Sequence, residues 1–264
     1  MEFRPCIDIH NGQVKQIVGG SLVDKNDEAQ ENFVAAKGAA YYAELYREKG
    51  LRGGHIILLN PESSPYYERT KEQALRALAA DPGGLQVGGG IHIENAACFL
   101  EAGASHVIVT SYVFYDGHIH MDRLEKLSQT VGKEHLVLDL SCRKRADEYY
   151  IVTDRWQKFT QEKVDERTLE LLAGYCDEFL IHAVDVEGKS QGIEEELVRQ
   201  LGVWGSRPGG IPITYAGGVH SYEDIELLRA LGGDRIHVTI GSALDIFGGG
   251  LALDEVLKRC AKRY

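Results

Sequence analysis

The chain has 264 residues, of which 44% are hydrophobic and 26% charged, and its formal net charge is −11 at pH 7. Such values are ordinary for a globular protein with a sizeable core, and the acidic balance argues against a broad nucleic-acid or anionic-membrane surface. The sequence contains no apolar run long enough to cross a bilayer, and its five scattered cysteines fit a reducing compartment rather than a disulfide framework or a zinc site.

Strand-like and helix-like patterns alternate along the whole chain. Short apolar runs that end at turn residues predict strands over residues 3–9, 55–60, 135–141, 178–184, 212–216 and 235–240. Apolar residues spaced three and four apart predict helices over residues 33–49, 67–80, 121–132, 164–175, 192–201, 222–231 and 251–262. Two further strands and a helix lie within residues 85–112. Eight such units predict an α/β protein with one closed (β/α)₈ TIM-barrel domain over residues 1–264.

Two glycine turns recur at about half the length of the chain. Gly89 and Gly217 each follow a predicted strand and precede a helix, at an offset of 128 (217 − 89 = 128). Glycine is common in tight turns, but here backbone N–H groups could also approach a phosphate closely. The repeat predicts two similar half-barrels and a ligand with a phosphate at each end. The predicted phosphate-binding residues are Gly89, Gly90, Thr110, Ser111, Gly217, Gly218, Gly241 and Ser242.

Two aspartates share this repeat. Asp8 ends the first predicted strand and Asp139 lies in the fifth, at an offset of 131 (139 − 8 = 131). An aspartate in an apolar strand is costly unless hydrogen-bonded, paired or functional. For a single one, the favoured interpretation is that it caps a loop or pairs with an arginine such as Arg143. A symmetric pair between two phosphate turns instead favours acid–base catalysis, with pKa values split by different environments.

The longest predicted connection covers residues 142–162, whereas residues 19–32 are predicted as a polar loop. A connection of this length in a compact domain is usually functional or disordered. One hypothesis is a hairpin that closes over the site, with Trp156 stacked on a flat heterocycle and Arg143 on a phosphate. The alternative is a rim flap anchored by its aromatic side chains.

Four segments carry a resemblance that covers nearly the whole chain. They are PCIDIHNG at residues 5–12, GGGI at 88–91, AGGV at 216–219 and IGSA at 240–243. They resemble the half-barrel-duplicated family of histidine biosynthesis, which holds the phosphoribosylformimino-aminoimidazole carboxamide ribotide (ProFAR) isomerases and the cyclase subunits of imidazole glycerol phosphate synthase. The segments RPCIDIHNGQVKQIVGG, DRWQKFT and IHAVDVEG are further similar to the eukaryotic-type branch of the isomerases.

The resemblance implies an enzyme, an intramolecular oxidoreductase that converts the aminoaldose ProFAR to the aminoketose PRFAR by an Amadori rearrangement. It also implies that no metal and no organic cofactor take part, with Asp8 as the catalytic base and Asp139 as the catalytic acid. In that mechanism the acid assists opening of the ribose ring to a Schiff base. The base then removes the C2 proton, and the enolamine collapses to the ketose. His10, in the first segment, is a further candidate.

The chain departs from the family pattern at several positions. Bacterial isomerases carry a T-D-I-x-R-D-G turn after the sixth strand, where this chain has His182 for the threonine and Val186 for the arginine. His182 or Asp185 is therefore expected to replace part of the network that supports the acid. Asn60 ends the second predicted strand where bacterial relatives have an acidic residue, and Gln16 stands where the cyclase has a lysine. The missing lysine favours an isomerase over a cyclase.

Three other functions stay open from the sequence. The chain could be the cyclase subunit, which requires a glutaminase partner, or could isomerise phosphoribosylanthranilate with the same acid–base pair. It could also be a catalytically silent barrel that binds a bisphosphorylated ligand, although Asp8 and Asp139 count against this. For the leading hypothesis we expect a monomer that binds a small molecule with two phosphates, and neither nucleic acid nor a membrane. No signal or transit peptide is visible, which predicts a cytoplasmic protein, or a plastid one whose transit peptide has been removed.

Overall fold

In the computed structural model, which describes residues 1–17, 31–154, 156–189 and 191–261, eight parallel strands lie side by side in one sheet in chain order. They are β1 (Cys6–His10), β2 (Gly54–Leu58), β3 (Leu85–Gly88), β4 (Val107–Val109), β5 (Leu136–Asp139), β6 (Glu178–His182), β7 (Ile213–Ala216) and β8 (Ile236–Thr239). Because each neighbouring pair is parallel, the carboxyl ends of these strands lie at the same edge of the sheet.

A helix follows each of these strands before the next one begins. The helices are α1 (Ala39–Glu48), α2 (Tyr67–Ala80), α3 (Ala96–Glu101), α4 (Met121–Val131), α5 (Glu166–Leu172), α6 (Glu195–Gly205), α7 (Tyr222–Gly232) and α8 (Leu253–Ala261). Local sequence defines two of their starts. Ser221 and Asp224 form a capping box at α7, and Asp165 accepts a hydrogen bond from Thr168 N (2.9 Å) at α5. In the described part of the chain, no helix is long and apolar enough to cross a membrane.

The structure confirms some predicted element bounds and corrects others. The helix predicted over 67–80 matches α2 in both bounds, but the one predicted over 33–49 is wrong at its start. Glu31–Val34 is instead a strand that pairs antiparallel with Gln13–Ile17, which in turn pairs with β1. Inter-strand hydrogen bonds override the helical pattern there. The predicted loop 19–32 lies outside the described residues up to position 30.

The long connection after β5 forms a three-stranded antiparallel sheet of Cys142–Arg145, Glu148–Thr153 and Lys158–Lys163. Gln161 N donates a hydrogen bond to Gly117 O (2.9 Å), which lies in a small hairpin after β4. The three-stranded sheet and the small hairpin are therefore hydrogen-bonded to each other beyond the carboxyl ends of β4 and β5.

A buried ion pair lies at the opposite, amino-terminal edge of the sheet. Arg4 Nη1 donates a hydrogen bond to Glu178 Oε2, and the two side chains are only 11% and 6% exposed. Gln86 Nε2 donates to the same oxygen (3.0 Å), and Thr214 Oγ1 donates to Glu178 Oε1 (2.5 Å). This network links the chain just before β1 to β3, β6 and β7, far from the carboxyl ends of the strands.

We expect Arg4→Met to lower the free energy of unfolding by about 3–5 kcal/mol, because it leaves the buried Glu178 carboxylate without its cation. The double change Arg4→Met/Glu178→Leu should recover part of this loss, since no uncompensated charge stays buried. Urea unfolding measures both values. As a matched control, Arg199→Ala breaks an exposed pair with Glu195 and should cost less than about 1 kcal/mol. Similar losses for Arg4→Met and Arg199→Ala would contradict this account of the buried pair.

Candidate functional site

A cavity of about 960 Å³ opens at the carboxyl ends of the parallel strands, and each strand or the turn after it contributes to the lining. This volume is typical of small-molecule sites. Among the described residues, no group of three or more His, Cys, Asp or Glu side chains is placed to hold a metal ion. Of the residues predicted for the site, the lining contains Asp8, Gly89, Gly90, Thr110, Ser111, Asp139, Trp156, His182, Gly217, Gly218, Gly241 and Ser242.

The two glycine turns have similar backbone geometry. The φ angles of Gly89 and Gly90 are +96° and +73°, and those of Gly217 and Gly218 are +125° and +76°. A Cβ at Gly89 would lie 2.1 Å from the carbonyl oxygen of Leu58, so only glycine fits there. A Cβ at Gly90 would meet no atom within 4 Å. The backbone at Gly90 is therefore open to a ligand in the pocket.

Asp139 is held by three hydrogen-bond donors. Its Oδ1 accepts hydrogen bonds from Ser141 Oγ (2.8 Å) and His182 Nδ1 (3.2 Å), and its Oδ2 accepts one from Thr110 Oγ1 (3.2 Å). The side chains of Asp139 and His182 are 13% and 12% exposed. Because the donors come from β6 and from the turns after β4 and β5, they fix the carboxylate in one orientation and favour its charged form.

The pKa values of Asp139 and His182 move in opposite directions. Burial by itself would raise the pKa of Asp139, but the charge of His182 and the hydrogen bonds to the carboxylate hold that pKa below its usual value. Burial would lower the pKa of His182, but the charge and hydrogen bond of Asp139, with the charges of Glu187 and Asp8, raise it to about 9. At neutral pH the pair is therefore a carboxylate beside an imidazolium.

Asp8 lies in a different environment. Burial, together with the negative charge of Glu187, raises the pKa of Asp8 to about 7, although the charge of His182 opposes this shift. None of the described residues donates a hydrogen bond to its carboxyl group. Burial also raises the pKa of Glu187, which lines the pocket from the turn after β6. The pocket thus holds one ionised carboxylate, Asp139, and one carboxyl group, Asp8, that titrates near neutral pH.

Trp156 reaches the pocket from the turn between the last two strands of the three-stranded sheet. Its Nε1 donates a hydrogen bond to Ser141 Oγ (3.0 Å), and its ring centroid lies 6.1 Å from that of His182. The φ angle of Trp156 is +68°, a conformation that costs free energy for a bulky side chain. The indole is thereby placed beside the Asp139–His182 pair.

Three of the predicted supporting residues do not line the pocket. Arg143 Nε donates a hydrogen bond to Asp185 Oδ1 (2.8 Å), and Lys144 N donates to Asp185 Oδ2 (2.9 Å). Arg143 and Asp185 therefore tie the three-stranded sheet to the turn after β6. His10 is buried at the end of β1, where it pairs with Gln13.

Glu187 and Arg123 are among the pocket residues that the sequence-based prediction missed. Glu187 lies beyond the end of β6, where a turn hides the direction of the side chain from sequence patterns. Arg123 comes from α4, so the rule that strand ends carry the site gives no signal for it. Its guanidinium lies 5.3 Å from the ring centroids of both Tyr112 and Tyr115 and donates to Tyr112 O (3.3 Å). Among the described residues, no carboxylate forms an ion pair with Arg123.

Comparison with known proteins matches the chain over nearly its whole length. A chloroplastic protein of Medicago truncatula is 54% identical to this chain over 261 residues, which cover 97% of this chain and 81% of that protein. Its name is 1-(5-phosphoribosyl)-5-((5-phosphoribosylamino)methylideneamino)imidazole-4-carboxamide isomerase. The isomerase of the same name from Neurospora crassa is 47% identical, over 97% of this chain and 97% of that protein. The one from Saccharomyces cerevisiae is 44% identical, over 96% of this chain and 95% of that protein. Residues 2–249 match the family model described as histidine biosynthesis protein, and the chain belongs to this family.

Proposed function

We propose that this chain is an isomerase of histidine biosynthesis that converts the aminoaldose ProFAR, the substrate in the names of its relatives, to the aminoketose PRFAR by an Amadori rearrangement. The observation that carries the proposal is a single pocket in which Asp8 and the Asp139–His182 pair lie with two glycine turns of similar geometry. ProFAR carries a phosphate at each end, and its rearrangement needs an acid and a base.

We further propose that the sheet closes into a (β/α)₈ barrel of two similar halves. Phe3, just before β1, forms a parallel bridge with Val238 of β8. Arg4 N donates a hydrogen bond to Val238 O (2.8 Å), and Val238 N donates one to Glu2 O (3.0 Å). Such bonds between the first and last strands support closure. In a closed barrel the turns after β3 and β7 face each other across the mouth, so a ligand bound at both would span it.

The two glycine turns are the proposed phosphate sites. Backbone N–H groups in such turns bind anions without requiring a net positive charge, which suits this acidic chain. The first site also has Arg123, which lines the pocket beside the turn that contains Thr110 and Ser111. A guanidinium without a carboxylate partner is a strong donor to phosphate oxygens. The second site is formed by Gly217, Gly218, Gly241 and Ser242.

Asp8 is the proposed base. Because its pKa is about 7, a large fraction of Asp8 is ionised at neutral pH and can accept the C2 proton of the Schiff base. The acid that assists ring opening comes from the Asp139–His182 pair. Trp156 lies beside His182, which supports the proposal that its indole stacks on the imidazole ring of the substrate.

The cyclase alternative has less support. Gln16, at the position of the cyclase lysine, lines the pocket, and its Nε2 lies 3.8 Å from Cys6 Sγ. An amide cannot supply the charge of a lysine at that place.

The chloroplastic relative supports the plastid alternative for the location of this chain. The compartment of the chain and its monomeric state stay predictions.

The proposed function predicts that the purified protein converts ProFAR, followed by absorbance in the presence of excess downstream synthase. Asp8→Asn should lower kcat by about 100-fold or more, because the amide cannot accept the C2 proton. The control Asp177→Asn changes an aspartate that is 54% exposed and lies outside the pocket, and it should keep wild-type kcat. Binding of ProFAR without turnover by the wild-type protein would contradict the proposal.

We expect Gly90→Ala to raise KM about tenfold or more with little change in kcat, because its methyl group displaces hydrogen bonds to a charged phosphate worth about 1.5–3 kcal/mol. Steady-state kinetics with ProFAR tests this. Gly83→Ala is the matched control: its φ is +72°, its added Cβ also meets no atom within 4 Å, and it lies outside the pocket. The backbone strain of about 1–2 kcal/mol is the same in both variants. The same KM in both variants would argue against a phosphate at the first turn.

A further inference from the structure

His182 presents one ring nitrogen to Asp139 and leaves the other for a ligand. Nδ1 is bonded to Asp139 Oδ1 (3.2 Å), and since Asp139 is a carboxylate, Nδ1 carries the hydrogen. None of the described residues forms a hydrogen bond with Nε2, although His182 lines the pocket. The imidazole packs against Trp156 and His55, with ring centroids 6.1 and 6.2 Å away. Nε2 is therefore the polar atom of this dyad that remains available to a substrate.

We propose that His182 is the general acid of the ring-opening step, donating its proton from Nε2, and that Asp139 is the positioning residue that orients the imidazolium. This inference rests on the proposed function and changes which member of the pair contacts the substrate. The arrangement follows the logic of a carboxylate–histidine dyad. In such dyads the carboxylate fixes the tautomer and the orientation of the ring and stabilises its charged form.

The charged groups that face His182 favour its protonated form. Asp139 on β5, Asp8 on β1 and Glu187 in the turn after β6 contribute negative charge. His55 on β2 adds no competing cation, because burial, with the charge of His182, lowers the pKa of His55 to about 3. Although burial opposes the shift, the pKa of His182 rises to about 9. His182 thus holds its proton at neutral pH.

Asp139 is poorly suited to be the donor itself. Both of its oxygens accept hydrogen bonds, from Ser141, His182 and Thr110. Protonating this carboxylate would remove the negative charge that pairs with His182 and weaken at least one of these bonds. At neutral pH the proton of the pair therefore lies on the histidine.

The proton balance closes over the rearrangement. His182 Nε2 gives its proton to the ring oxygen as the bond from that oxygen to C1 breaks and the nitrogen lone pair forms the protonated Schiff base. Asp8 takes the proton from C2, which produces the enolamine. Asp8 then returns a proton to C1, and neutral His182 accepts the proton of the C2 hydroxyl as the ketone forms. Both side chains end in their starting states, and no oxidant or reductant is needed.

The test compares kcat/KM for ProFAR against pH in the wild type, His182→Asn and Asp139→Asn, since this ratio reports the ionisations of the free enzyme. We expect an alkaline limb near pH 9 in the wild type. His182→Asn should lose about 100-fold or more in kcat and lack this limb. Asp139→Asn should keep turnover below neutral pH, with the limb moved lower by at least about one unit because the main cause of the raised pKa is gone.

His220→Asn is the matched control, because His220 also pairs with an aspartate, Asp224 (2.8 Å), but lies outside the pocket. It should keep the wild-type profile. An alkaline limb near pH 9 that survives in His182→Asn, with Asp139→Asn the more damaged variant, would overturn the assignment.

A second measurement does not depend on turnover. The imidazole signals of His182, identified by their absence from His182→Asn, are titrated by NMR in the wild-type protein. A pKa near 9 that falls in Asp139→Asn supports the dyad, and a wild-type value near the ordinary 6.5 overturns it. A wild-type protein that shows the high pKa but does not convert ProFAR would refute the proposed function rather than the dyad.

Discussion

The hydrogen bond between His182 and Asp139 makes the surroundings of the two pocket aspartates, Asp8 and Asp139, electrostatically different. Asp8 and Asp139 lie on parallel strands, β1 and β5, and each is paired in register with an apolar residue of the next strand, Ile57 or Leu180. Desolvation penalises both carboxylates, but of the two only Asp139 accepts hydrogen bonds from the described residues, namely from the His182 cation and from Ser141 and Thr110. Two aspartates at similar positions in the fold therefore have pKa values shifted in opposite directions. Acid–base chemistry in one pocket requires such a difference.

Much of this pocket could be predicted from the sequence because parallel strands impose a simple rule. Residues at the carboxyl ends of such strands meet at one edge of the sheet, so placing Asp8, Asp139 and the glycine turns at strand ends also placed them together. The positive φ angles of Gly89 and Gly217 likewise follow from a tight turn between strand and helix. The order of strands and turns along the sequence was sufficient to place these residues, because their positions depend on backbone geometry.

Other features depend on contacts between side chains that are distant in sequence. The Arg143–Asp185 pair joins a strand of the three-stranded sheet to the turn after β6, so nothing local shows that these residues satisfy each other outside the pocket. Arg123 enters the pocket from a helix, and the strand Glu31–Val34 replaces the predicted start of a helix because a partner strand is available. The departure at His182 was visible in the sequence, but its partner and its charge required the structure.

The site and the main buried ion pair lie at opposite edges of the sheet. Arg4 and Glu178 join strands at the amino-terminal edge, whereas Asp8, Asp139 and His182 face the pocket at the carboxyl edge. The pocket can therefore keep costly features, such as the buried Asp8 carboxyl and the left-handed backbone of Trp156, without depending on them for folding.

The central claim is that Asp8 and Asp139 differ in protonation within one pocket. It is tested most directly by a pH titration of the protein labelled with ¹³C at aspartate side-chain carboxyl carbons, with Asp8→Asn and Asp139→Asn used to identify the two signals. We expect the Asp8 signal to titrate near pH 7 and the Asp139 signal to titrate below the ordinary aspartate pKa. Two signals that titrate together at the ordinary aspartate pKa would contradict the account.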